Sequence, residues 1–64
     1  MTQKELAYVE DAIGHETNII KICNSALKKI DDDSLITFMN SEIEKHENMK
    51  QKLMSLLGGK TSGQ

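Results

Sequence analysis

The stretch Lys29-Ile30-Asp31-Asp32-Asp33-Ser34-Leu35 decides how this chain folds, because an apolar pattern stops on one side of it and restarts on the other. Asp and Ser hydrogen-bond to nearby backbone and favour turns and helix starts over helix interiors. Before the break, Leu6, Val9, Ile13, Glu16, Ile20, Cys23, Leu27 and Ile30 follow one another in alternating steps of three and four. That spacing keeps a single face of a helix turned toward a partner. Ala12, Ile19, Ile22 and Ala26 form a second row that widens the stripe. After the break the pattern resumes as Leu35, Met39, Glu42, His46, Met49, Leu53 and Leu56, flanked by Ile36, Phe38, Ile43, Met54 and Leu57.

The spacing predicts one domain over residues 1–58: a helix over about 3–30, a turn at 31–33 and a second helix over about 34–57. Asp33 or Ser34 is expected to cap the second helix, and Gly58-Gly59 to stop it. Residues 59–64 read as a flexible polar tail. So short a connection returns the second helix antiparallel beside the first. The expected fold class is therefore all-α, an antiparallel two-helix hairpin.

Composition sets limits on function. The chain has no Trp and no Pro, one Phe, one Tyr and four Met among 64 residues, so its core must come from aliphatic side chains. Eight basic residues, all Lys, stand against ten acidic ones for a formal charge of −2, which supplies no basic footprint for nucleic acid. No apolar run approaches the roughly 20 residues that span a bilayer. Cys23 is alone, so no internal disulfide forms, and the charged start lacks the apolar core of a signal peptide. Synthesis in a reducing cytoplasm is the expectation.

A stripe this wide is too broad for one partner helix. Burying a Leu or Ile contributes about 1.5–3 kcal/mol, while ordering each residue costs about 1.5 kcal/mol. Only 38% of this chain is hydrophobic, so a lone hairpin does not come out ahead. A two-fold homodimer closing a four-helix bundle is the expected assembly.

Glu16, Glu42 and His46 fall at seam positions and carry the only chemical clue. A buried ionisable group needs a compensating neighbour. Glu16 lies near the middle of the first helix and His46 near the middle of the second, so the hairpin sets them at similar heights. A two-fold axis through that layer would gather four carboxylates and two imidazoles, the inventory of the di-iron and di-manganese sites of ferritin-like bundles. Such donors suit iron, manganese or zinc. The usual Glu-x-x-His spacing is absent, however: Ile43 holds that place and the pair is Glu42-x-x-x-His46. The other reading makes the trio a hydrogen-bonded layer that fixes register and dimer orientation. Gly14, inside the first helix, is expected to allow a close approach or a local bulge.

His15 is a weaker ligand candidate beside the seam, expected at the surface. Glu44 and Glu47 read as solvated, Cys23 as a small buried hydrophobe, and Tyr8 as packing at the bundle end. Met39, Met49 and Met54 read as core filler. Nothing in the chain supports nucleophilic catalysis, and no loop is built to cradle phosphate.

From Asp11 through Gly58 the residues resemble the spore coat protein F family of endospore-forming bacteria. The matching features are Asp11-Ala-Ile-x-x-Glu16, then Ser34-Leu35 and Phe38-Met39 after a short turn, then Glu42-x-x-x-His46 leading to Leu53 and a terminal glycine. The family's second helix tends to carry two adjacent acidic residues before its His; this chain keeps Glu42 and has Ile43 next to it. The resemblance implies a ferritin-like fold and an association with the spore coat, possible other coat proteins included as partners. Two functions follow: a small structural bundle, or a metal-binding bundle of di-iron type with a redox or storage role. A helical adaptor that binds another protein's helices is a third.

Overall fold

A computed structural model describes residues 1–58, which form two α-helices and no strand. The predicted tail, with Gly59, lies outside the described residues. Helix α1 runs Gln3–Leu27 and helix α2 runs Asp33–Leu56. They lie side by side as an antiparallel hairpin 45 × 20 × 16 Å in extent, a single layer two helices wide.

Each helix starts on a side chain that satisfies its free N–H groups. Thr2 accepts from the Glu5 N–H at 3.0 Å while the Glu5 carboxylate accepts from the Thr2 N–H at 2.9 Å, a reciprocal capping box. Asp32 caps α2 by accepting from the Leu35 N–H at 2.9 Å. The cap is thus one or two residues earlier than the sequence reading of Asp33 or Ser34. Asp33 and Ser34 occupy the first turn instead, where an acidic group complements the helix dipole.

The first helix stops three residues short of the predicted Ile30. Its end tightens, with the Lys28 N–H reaching Ser25 O at 3.3 Å and the Lys29 N–H reaching Ala26 O at 2.9 Å. Three aspartates close behind a helix C-terminus oppose its dipole, whereas the same three favour the start of the next helix. The acidic run therefore ends one helix and begins the other. At the far end, Gly58 takes a φ of 74°, the left-handed conformation that closes a helix and that glycine adopts without a side-chain clash.

The seam of α1 follows the pattern read from the sequence: Val9, Ile13, Glu16, Ile20, Leu27 and Ile30 are half-buried, Cys23 is buried, and only Leu6 at the open end is exposed. The seam of α2 is displaced by one residue. Ile36, Met39, Ile43, His46, Lys50, Leu53 and Leu57 are half-buried, again in steps of three and four, while the expected Leu35, Met49 and Leu56 are exposed. Both rows flank Met39, His46 and Leu53, and neighbouring residues differ by about 100° around the axis. One partner helix covers one row, not both. Lys50 joins the covered row because its alkyl stem can lie on the seam while its amine reaches water.

Three further expectations meet the structure. Within one chain Tyr8 is 62% exposed and Met49 is exposed, so neither packs inside the hairpin. Gly14 produces no bulge: α1 is continuous through it, and a Cβ there would meet nothing within 4 Å.

Candidate functional site: a polar layer between the helices

The heights inferred from the sequence bring Glu16 and His46 together. His46 Nδ1 lies 2.5 Å from Glu16 Oε1, across thirty residues of chain. A carboxylate oxygen accepts, so the imidazole tautomer that fits donates from Nδ1. The Glu16 side chain is 12% exposed and that of His46 20%, so the bond is partly sheltered from competing water.

Glu42 completes the layer one turn before His46. Its Oε1 lies 3.7 Å from His46 Nε2, beyond hydrogen-bond reach and an ion pair only when the ring is protonated, and its Oε2 accepts from Lys45 Nζ at 3.1 Å. Both ring nitrogens of His46 therefore face carboxylates, held by the i, i+4 spacing on α2 and by the opposite helix. No buried side-chain N or O among the described residues lacks a partner. The Glu16–His46 bond is made within one chain, and it locks the register of α1 on α2: sliding either helix by one turn, about 5.4 Å, would separate the two.

The donor set can be weighed against a metal. Glu16 occupies Nδ1, which leaves His46 Nε2 and Glu42 as facing donors, short of what zinc or iron takes from protein. Among the described residues no group of three or more His, Cys, Asp or Glu side chains is arranged to hold a metal ion. A site would need donors from a second chain. His15 is exposed and turned about 100° from Glu16, outside the layer. Glu44 and Glu47 are exposed, as the sequence reading placed them, and Cys23 is buried.

The hairpin leaves part of the wide apolar stripe uncovered. Ile22 is 66% exposed, Phe38 57% and Leu35 50%, large apolar groups that the hairpin leaves in water. Taking about 100° per residue from the Glu16–His46 contact, Ile19, Ile22 and Ala26 lie to one side of the α1 seam, and Leu35, Phe38 and Glu42 to one side of the α2 seam. Because the helices are antiparallel, the two sides open onto the same broad face. The opposite face is polar, with an open groove lined by Thr17, Ile20, Glu47, Asn48, Lys50 and Gln51. The signal was present in the second apolar row of α2, which one partner helix cannot cover.

No described helix is long and apolar enough to cross a membrane. Compared with known protein families, curated proteins and solved structures, the chain matches none, so the likeness to the spore coat protein F family stands on the residues quoted for it.

Proposed function

We propose that this chain is a structural building block, a hairpin that pairs with a second copy of itself into a four-helix bundle and works by assembling. The observation that carries this reading is that Cys23 is the only buried residue among those described. A fold whose stability comes from burying apolar surface is incomplete in that state. One broad face remains apolar, and an identical face on a second hairpin is its simplest complement. The Glu16–His46–Glu42 layer serves the fold by fixing how α1 sits on α2. A coat-type role, as the resemblance implies, is the kind of work such a module suits.

Sedimentation equilibrium with circular dichroism over a range of concentrations tests this. The expected result is a helical dimer at micromolar concentration, with helicity falling on dilution. A helical monomer at every concentration would overturn the proposal.

The metal-binding alternative has one observation in its favour, that Glu16, Glu42 and His46 do share a layer. It requires two such layers to meet. Elemental analysis after exposure to ferrous iron decides it: about two ions per dimer, lost on replacing Glu42 or His46, would establish the di-iron type. A metal-free dimer leaves the trio as a register lock.

A further inference from the structure

Resting on the self-association just proposed, we infer that the second copy covers the whole apolar face with the two-fold axis parallel to the helices. Helix α1 of each copy then lies over α2 of the other along its full length.

That face is apolar on both sides of the Glu16–His46 layer. Toward the loop it carries Ile22, Ala26, Leu35 and Phe38. Toward the open end it carries Tyr8, Ala12, Met49 and Leu56, with Tyr8 62%, Leu56 56% and Met49 43% exposed. At about 100° per residue, all eight positions fall on one broad face of the hairpin. Between the halves stand His15 on α1 and Glu42 and Lys45 on α2. A staggered partner that covered one half would leave the other in water, so the second copy spans both.

Two symmetric arrangements do so. Heights follow from the Glu16–His46 contact, which sets those residues level, and from a rise of about 1.5 Å per residue. A two-fold axis across the helices, at the layer, turns the partner end over end and stacks each helix on its own copy. It sets Lys45 near Lys45, like charge on like charge, and Met49 against the partner's Glu42. An axis along the helices keeps every residue at its own height and stacks α1 on the partner's α2. Between the copies, Tyr8 then comes within about 3 Å in height of Leu56, and Ile22 within about 3 Å of Phe38. Ala12 comes within about 1.5 Å of Met49, and Ala26 within about 1.5 Å of Leu35. Apolar positions meet apolar positions in both halves. Charge favours the same axis. Exposed Lys52 and Asp11 stand on the outer edges of the face, on opposite sides of one hairpin, and this axis brings each to the other's copy about 1.5 Å apart in height. At the loop end, the Asp31–Asp33 run at the start of α2 comes to the height of Lys28 and Lys29 on the partner's α1. Glu42 enters the covered face already bonded to Lys45 at 3.1 Å.

Mixed disulfides in a Cys23→Ala background tell the two axes apart. Chains with Ile22→Cys are mixed in equal amounts with chains carrying Phe38→Cys or, separately, Tyr8→Cys. The mixed covalent dimer formed with oxidised glutathione is followed by mass. An axis along the helices brings Ile22 to the partner's Phe38, whereas an axis across them brings it to the partner's Tyr8. The mixed dimer is expected to form about tenfold faster with Phe38→Cys, within the geometric reach of a disulfide. An equal rate, or a faster one with Tyr8→Cys, would overturn the inference. In the chain that keeps Cys23, Lys52→Glu should raise the dimer dissociation constant about fivefold at low salt, and adding Asp11→Lys should recover most of that loss. A double variant no tighter than Lys52→Glu alone would also overturn it. Both results presuppose a wild-type dimer; a wild-type monomer rejects the proposed function itself, so the two failures are distinguishable.

Discussion

The Glu16–His46 layer and the Ile22–Phe38 patch belong to the same hairpin, yet their burial is the reverse of their polarity. A glutamate at 12% side-chain exposure and a histidine at 20% sit between the helices, while an isoleucine at 66% and a phenylalanine at 57% face solvent. A chain that ended its folding as a monomer would gain by exchanging these placements. The difference teaches that two kinds of contact are divided between two regions. Directional bonding within the chain holds the register of α1 on α2. Non-directional apolar surface is left uncovered by the chain itself, and on the proposed assembly its burial would supply association while the polar layer supplies uniqueness.

The largest effect expected on the layer comes from Glu16→Ala. It leaves His46 Nδ1 without its acceptor in a sheltered place, and the expected loss of stability is about 1–3 kcal/mol. Glu16→Gln, which keeps an acceptor, should recover part of it. Urea unfolding at one fixed protein concentration measures both, since the stability of a dimer depends on concentration. The comparison is sharpened if Glu16→Ala lowers stability yet leaves the protein dimeric when folded. It breaks if the variant folds with unchanged stability, because the layer would then hold nothing.

Much of this was legible in the sequence, and the parts that were not have a common cause. The α1 seam, the antiparallel return and the meeting of Glu16 with His46 all follow from periodicity and helix rise, which depend on local geometry alone. The α2 seam was misread by one position because Leu35, Glu42, Met49 and Leu56 form a row as regular as Ile36, Ile43, Lys50 and Leu57. A sequence shows both rows as candidates; only the direction of the neighbouring helix chooses between them. Lys50 hid the true row, since a lysine in a seam looks like a break in the pattern although it is half-buried there. The metal reading drew on the same two quantities, inventory and height. Residue inventory and height placed Glu16, Glu42 and His46 in one layer, and within the chain Glu16 and His46 are bonded to each other.

Asp32 stands at the end of the patch and also caps α2, so its substitutions separate a local role from a shared one. Asp32→Ala removes the acceptor for the Leu35 N–H and is expected to cost about 1 kcal/mol. Asp32→Asn keeps a capping oxygen and discards the charge, so it should fold with nearly full stability at high salt. If the acidic run faces lysines of a second copy, Asp32→Asn should nonetheless weaken dimerisation at low salt, and less so as salt screens the charges. Dissociation constants measured by sedimentation at two ionic strengths check this. A salt-independent constant, equal to that of the wild type, would remove charge from the account of docking and leave the apolar patch alone.

Gly14 gives the smallest expected effect, and in the opposite direction. It lies inside α1, where glycine is less favourable than alanine by about 0.5–1 kcal/mol because its unfolded backbone is freer. Nothing stands within 4 Å of the place a Cβ would take, so the added methyl meets no obstacle within the chain. By helix rotation Gly14 also points about 140° away from the α1 seam, on the back of the helix and away from both the layer and the patch. Gly14→Ala should therefore stabilise the hairpin by roughly that amount, with the dimer dissociation constant unchanged or lowered. Thermal unfolding at matched concentrations, read beside sedimentation, measures both quantities. A variant that folds more stably yet dimerises less well would mean that the partner helix reaches the back of α1. The division between a bonded layer within the chain and an apolar patch between chains would then have to admit a third surface.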